Sequence, residues 1–75
     1  MKATKARLSK PLQFFVIEKY YDNGKSQAAI WPAEKALAEG YFDGYQEENK
    51  NYDLYVTGCV DYPEARDWAK GVREA

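Results

Sequence analysis

Apolar and polar positions along this chain fall into blocks of different period, and each period predicts an element. Residues 12–21, Leu-Gln-Phe-Phe-Val-Ile-Glu-Lys-Tyr-Tyr, are dominated by β-branched and aromatic side chains, which suit a pleated strand. Alternation puts Phe15, Ile17 and Tyr21 on one face and Phe14, Val16 and Tyr20 on the other. A strand apolar on both sides belongs at the centre of a sheet. Asp22-Asn23-Gly24-Lys25 follows, and Asn-Gly is the favoured pair for a two-residue type I′ turn. With Asn23-Gly24 as that loop, Asp22 faces Lys25, Tyr21 faces Ser26 and Ile17 faces Ile30. The returning strand runs over 25–31 and stops at Pro32, which has no N–H to give to a ladder.

The period then changes. Residues 33–39, Ala-Glu-Lys-Ala-Leu-Ala-Glu, are good helix formers opened by Pro32 and closed by Gly40, and so short a helix needs packing through Ala33, Ala36 and Leu37. Residues 40–51 read as a long loop. Residues 52–60 alternate again, with Leu54, Val56 and Val60 on one face of a third strand. Asp61-Tyr-Pro-Glu64 has the spacing of a capping box, in which the Asp61 carboxylate accepts from the Glu64 N–H while Glu64 reaches back. Ala65, Trp68, Ala69 and Val72 then stand at i, i+3, i+4 and i+7, the apolar stripe of an amphipathic helix, with Arg66, Lys70 and Arg73 opposite. The prediction is an α+β fold, β-β-α-β-α, with a three-stranded antiparallel sheet and the C-terminal helix across one face. Residues 1–10 carry Lys2, Lys5, Arg7 and Lys10 without an acid and read as a mobile basic tail ahead of a single domain over 11–75.

Composition sharpens this picture in one respect. Seven Tyr, three Phe and two Trp stand against ten Leu, Ile and Val, more rings than one sheet and one helix can hide, and tyrosine is enriched where proteins bind one another. Net charge is −1, so no overall field draws the chain toward nucleic acid or anionic lipid. The longest large-apolar run, Phe14–Ile17, is far too short for a membrane span. Cys59 is the single cysteine, which excludes an internal disulfide and fits a reducing cytoplasm.

Few residues invite chemistry. Without histidine, imidazole-based catalysis and Cys/His metal sites are closed. Cys59 alternates onto a strand and reads as a small buried hydrophobe. Glu47-Glu48 is a solvated acidic pair, and Asp22-Asn23-Gly24 lacks the further oxygen ligands of a calcium loop. No glycine motif for phosphate is present. The expectation is a protein that is not an enzyme and that holds no cofactor and no metal.

Three surfaces remain for binding. Between Glu34 and Asp53 stand six acids, Glu34, Glu39, Asp43, Glu47, Glu48 and Asp53, against Lys35 and Lys50, with Tyr41, Phe42, Tyr45 and Tyr52 interleaved. Tyr41, Phe42, Asp43, Tyr45, Glu47 and Glu48 are the expected contacts of an acidic, aromatic recognition loop for a basic protein surface; folded inward, the same rings would merely extend the core. The alternative is a nucleic-acid-binding accessory protein that uses Lys2, Lys5, Arg7 and Lys10 with an aromatic sheet face. The sheet itself is a third surface. A central strand apolar on both sides needs cover from the short helix, the long loop, a second copy or a partner. The second copy gives a third reading, a homodimeric structural module.

The order of a tyrosine-rich hairpin (Glu18–Lys25), an acidic linker, a strand and a Pro-Glu-Ala-Arg-Asp-Trp-Ala helix (Pro63–Ala69) resembles, in layout, small proteins encoded by bacteriophages and prophages, some anti-CRISPR proteins among them. That resemblance implies a stoichiometric inhibitor, a viral protein occupying a surface of a larger host or CRISPR-type immune complex.

Overall fold

The computed structural model describes residues 11–74. Its elements are β1 (Phe14–Tyr21), β2 (Ser26–Pro32), α1 (Ala33–Ala38), β3 (Gln46–Glu48), β4 (Tyr52–Cys59) and α2 (Tyr62–Glu74). The sheet is antiparallel in the order β2-β1-β4-β3. The α+β class, the central place of β1 and the C-terminal helix on one face agree with the sequence reading. The sheet has four strands, however, rather than three. The expected basic tail, with Lys2, Lys5, Arg7 and Lys10, lies outside the described residues.

The added strand comes from the segment read as a loop. Gln46, Glu47 and Glu48 are polar and fully at the surface, so no apolar alternation marks them. They pair because the turn beyond them is tight: the Asn49 N–H donates to the Tyr52 carbonyl at 2.8 Å, and the Asn51 N–H donates to Asn49 Oδ1 at 3.2 Å. A short, charged edge strand also discourages further pairing.

The first hairpin closes differently from expectation. Among the described residues none other than glycine has positive φ, so Asn23 does not take the type I′ conformation. Instead the Gly24 N–H donates to the Tyr21 carbonyl at 3.0 Å and the Tyr21 N–H donates to the Lys25 carbonyl at 2.8 Å, with Gly24 at φ 89°. This is a three-residue loop, a type I turn ended by a left-handed glycine. The Lys25 N–H donates to Asn23 Oδ1 at 3.0 Å, which holds the asparagine in the turn. One extra loop residue shifts the register by one, so Ile17 faces Ala29 and Val16 faces Ile30. A one-residue slip exchanges the faces of a strand: Ala28 and Ile30 lie with Val16 under α2, while Trp31 turns to the opposite side.

The two faces of β1 build two cores. On one side Val16, Ala28, Cys59, Ala65, Ala69 and Val72 are buried together, flanked by Phe14 and Ile30. The N-cap is the predicted one: the Glu64 N–H donates to Asp61 Oδ1 at 2.9 Å. Glu64 Oε1 accepts from the Val60 N–H at 2.8 Å, one residue earlier than in the usual reciprocal box. Phe14 and Tyr62 meet edge to face at 5.7 Å, and Ser26 Oγ donates to the Val72 carbonyl at 3.0 Å, so both ends of the helix are tied down.

On the other side Phe15, Ile17, Ala36, Leu54 and Val56 are buried, with Trp31, Ala33, Tyr41, Tyr45 and Tyr52 around them. The short helix ends in a Schellman motif: the Tyr41 N–H donates to the Ala36 carbonyl at 2.9 Å, the Gly40 N–H donates to the Leu37 carbonyl at 3.0 Å, and Gly40 has φ 96°. That exit geometry drops Tyr41 onto Trp31, their centroids 5.6 Å apart, and Tyr45 onto Tyr41 at 5.3 Å. The second face of β1 is covered by the short helix and the loop, two of the four covers the sequence allowed. Leu37, expected to pack, is 56% exposed. Val60 lies beyond the end of β4, and Cys59 is the buried residue there.

Candidate functional site

Glu18 is the one acid in the first strand, at a position whose neighbours on the same face, Val16 and Tyr20, point toward α2. It is 5% exposed, the only charged or polar residue that is buried among the described residues. A buried carboxylate needs donors, and three side chains supply them. Tyr20 Oη donates to Oε1 at 2.7 Å, Thr57 Oγ1 donates to Oε2 at 2.8 Å, and Trp68 Nε1 donates to Oε2 at 2.6 Å. These donors come from β1, β4 and α2. The bond from Trp68 fixes an indole that would otherwise be free to turn, since the residue is 48% exposed.

The helix that brings Trp68 packs mainly on β2 and β1 and least on β4. Beyond it the sheet face stays open. Strand register sets what stands there. Glu18 faces Tyr55, which faces Gln46; Tyr20 faces Asp53, which faces Glu48. Rings and acids therefore alternate as on a chequerboard. Tyr20 and Tyr55 occupy one diagonal, 5.7 Å apart and inclined at 70°, with Glu18 and Asp53 on the other. Glu18, Tyr20, Asp53, Tyr55, Thr57 and Trp68 line a solvent-open hollow of about 490 Å³. It continues toward the edge strand along Gln46, Glu47, Glu48, Asp53 and Tyr55, and along α2 past Asp67 and Gly71. Among the described residues no lysine or arginine lines any part of it.

The electrostatics are one-sided. Burial, then the hydrogen bond to Glu18 and the charges of Glu18 and Tyr55, push the Tyr20 phenol up to about 12, so it stays a donor. Asp53 and Glu48 stand directly opposite each other on neighbouring strands. Facing like charges on one sheet face are destabilising. The sole ion pair among the described residues, Arg66 with Asp67 at 3.9 Å, relieves neither. Cys59 is buried as expected, and burial foremost, followed by the charges of Glu64, Asp43, Asp61 and Glu18, pushes its thiol up to about 11. It stays protonated near neutral pH and sits inside the core.

The residues expected from sequence to form a recognition loop are distributed over the molecule. Tyr41 and Tyr45 belong to the aromatic layer on the opposite face, and Tyr45 Oη donates to Glu47 Oε2 at 2.8 Å. Asp43 Oδ1 accepts from the Gly58 N–H at 2.6 Å, pinning the loop to β4. A side chain at position 58 would press within 3.0 Å of that carboxylate and into Leu12. Phe42 is 53% exposed and packs edge to face on Tyr45. Of the expected set, Glu48 lies on the open face, and Glu47 borders the edge-strand end of the hollow while bonding back to Tyr45. Sequence reasoning missed Glu18, Tyr20, Asp53, Tyr55, Thr57 and Trp68 as a group. One signal pointed to them: an acid at an inward position of an otherwise apolar central strand.

Among the described residues no helix is long and apolar enough to cross a membrane. No family model, curated protein or solved structure matches this chain.

Proposed function

We propose that this protein is a non-enzymatic binding factor that docks a basic protein surface onto the open, acidic, aromatic half of its sheet, in the manner of the phage-encoded inhibitors its layout resembles. The observation that carries this reading is the hollow beside α2, where three rings and several carboxylates stand together and no lysine or arginine among the described residues lines the surface. Rings held by strand and hydrogen bond give contact area at little entropic cost, which is how a few aromatic anchors come to dominate a protein interface. The carboxylates steer a positive partner and repel a phosphate backbone, so the sheet face itself argues against the nucleic-acid reading. The homodimer reading loses its main motive, because the second face of β1 is covered from within the chain.

Affinity capture tests the proposal. Wild-type protein and the Tyr55→Ala/Asp53→Lys variant are each immobilised and exposed to nuclease-treated host lysate. A basic protein retained in stoichiometric amount by the wild type and lost from the folded variant supports the reading. Equal retention by both places the interface elsewhere.

A further inference from the structure

We infer that the group this face reads is an arginine side chain of the partner, its guanidinium stacked on the exposed side of the Tyr20–Tyr55 pair with its N–H edge on Asp53 and Glu48; this rests on the docking reading above. Glu18 itself offers a partner little. An ionised carboxylate has about four acceptor positions, and three are already engaged by Tyr20, Thr57 and Trp68. Its role is to supply negative potential beneath the rings and to hold two of them in place. Asp53 and Glu48 are different. No side-chain donor or cation among the described residues reaches either carboxylate, and register sets them side by side.

Free carboxylates next to an inclined pair of rings suit a planar cation better than a spherical one. A guanidinium stacks on an aromatic face while its coplanar N–H groups fork to carboxylates; an ammonium is a compact, strongly hydrated point charge that does neither as well. The molecule also shows what rings and cations do when both are present. On the opposite face Lys19 Nζ lies 4.9 Å from the Tyr52 centroid and Lys35 Nζ lies 4.7 Å from the Trp31 centroid. On the open face the rings and the anions are in place, and no lysine or arginine among the described residues lines it.

Hexa-arginine and hexa-lysine peptides, equal in charge, are titrated into the full chain and followed by backbone amide shifts and the Trp68 indole N–H signal. Hexa-arginine is expected to shift Tyr20, Asp53, Tyr55 and Trp68, and to bind about tenfold more tightly than hexa-lysine. Asp53→Asn, which keeps shape, and Tyr55→Ala should each weaken hexa-arginine about tenfold. Equal affinity for the two peptides at this face would overturn the arginine assignment and leave basic docking standing. Shifts confined to other surfaces, or none with either peptide, would overturn both.

Discussion

The two faces of the sheet draw on the same strands and reach opposite outcomes. Below α1 and the 39–45 loop, rings close over a core, each leaning edge-on against the next, and two lysines of the chain cap the outermost rings. Beside α2, rings surround an anion and half the surface is left open. The difference lies in which element follows the strand. A left-handed glycine at Gly40 turns the chain back over one face, whereas the Asp61 cap launches a helix that covers mainly β2 and β1 on the other. One face is finished by its own sequence; the other is organised and left unfinished.

The closed face should carry most of the stability. Leu54 is 1% exposed at its centre, and Leu54→Ala is expected to cost about 3 kcal/mol. That is most of the ~3–5 kcal/mol a core of this size supplies, so urea denaturation should find the variant close to unfolded. If Leu54→Ala is mild while truncations beside α2 are severe, the assignment of the two faces is reversed.

The open face should be sensitive to charge rather than volume. Glu18→Ala removes the acceptor of three donors and is expected to cost about 2 kcal/mol, and the Trp68 indole N–H resonance should lose its shifted position. The effect of pH follows from Tyr20. Its phenol is raised from 10.0 to about 12, so the folded chain holds that proton more tightly than the unfolded one. The associated stability is full below about pH 10 and is lost as pH rises through about 12. Absorbance titration should show one late-ionising tyrosine, and Glu18→Gln should move it toward the rest by removing the charged partner. A phenol unmoved in that variant would show that the Glu18 charge is not a cause of the shift.

How much of this was legible beforehand depends on whether the signal was local. The helix cap at Asp61 and Glu64 and the two-sided strand around Val16 are local patterns, and the structure agrees with them; of the apolar stripe, Ala65, Ala69 and Val72 are buried while Trp68 stands half exposed at its edge. The register of the first hairpin was not, because Asn23-Gly24 fits both a two-residue and a three-residue loop, and the choice rests on packing along the whole strand. β3 had no apolar alternation to announce it. The Glu18 hub brings residues 18, 57 and 68 together, and only a fold can do that. Tyr41 and Tyr45 looked like contacts because rings among acids read alike whether they face in or out.

Smaller effects separate the elements that frame each face. Asp61→Ala removes the side-chain acceptor of the α2 N-cap and should cost about 1 kcal/mol. The loss should come with looser protection of the helix amides and a weaker Trp68–Glu18 bond, seen by hydrogen exchange. An equal loss of protection at Ala36–Tyr41 would mean that the two faces unfold as one unit.

The smallest expected effect is the sharpest test of the comparison. Lys35→Met keeps an unbranched apolar stem over Trp31 and deletes only the ammonium. At an exposed site a cation over a ring contributes roughly 0.5–1 kcal/mol, so the variant should lose about that much in chemical denaturation, with its fold intact. Because Lys35 belongs to the closed face, its loss should leave hexa-arginine affinity where it was. The same peptide should respond strongly to Tyr55→Ala. If Lys35→Met instead alters arginine binding as much as Tyr55→Ala does, the rings of both faces answer to one cation site, and the division of the sheet into a finished side and an open side fails.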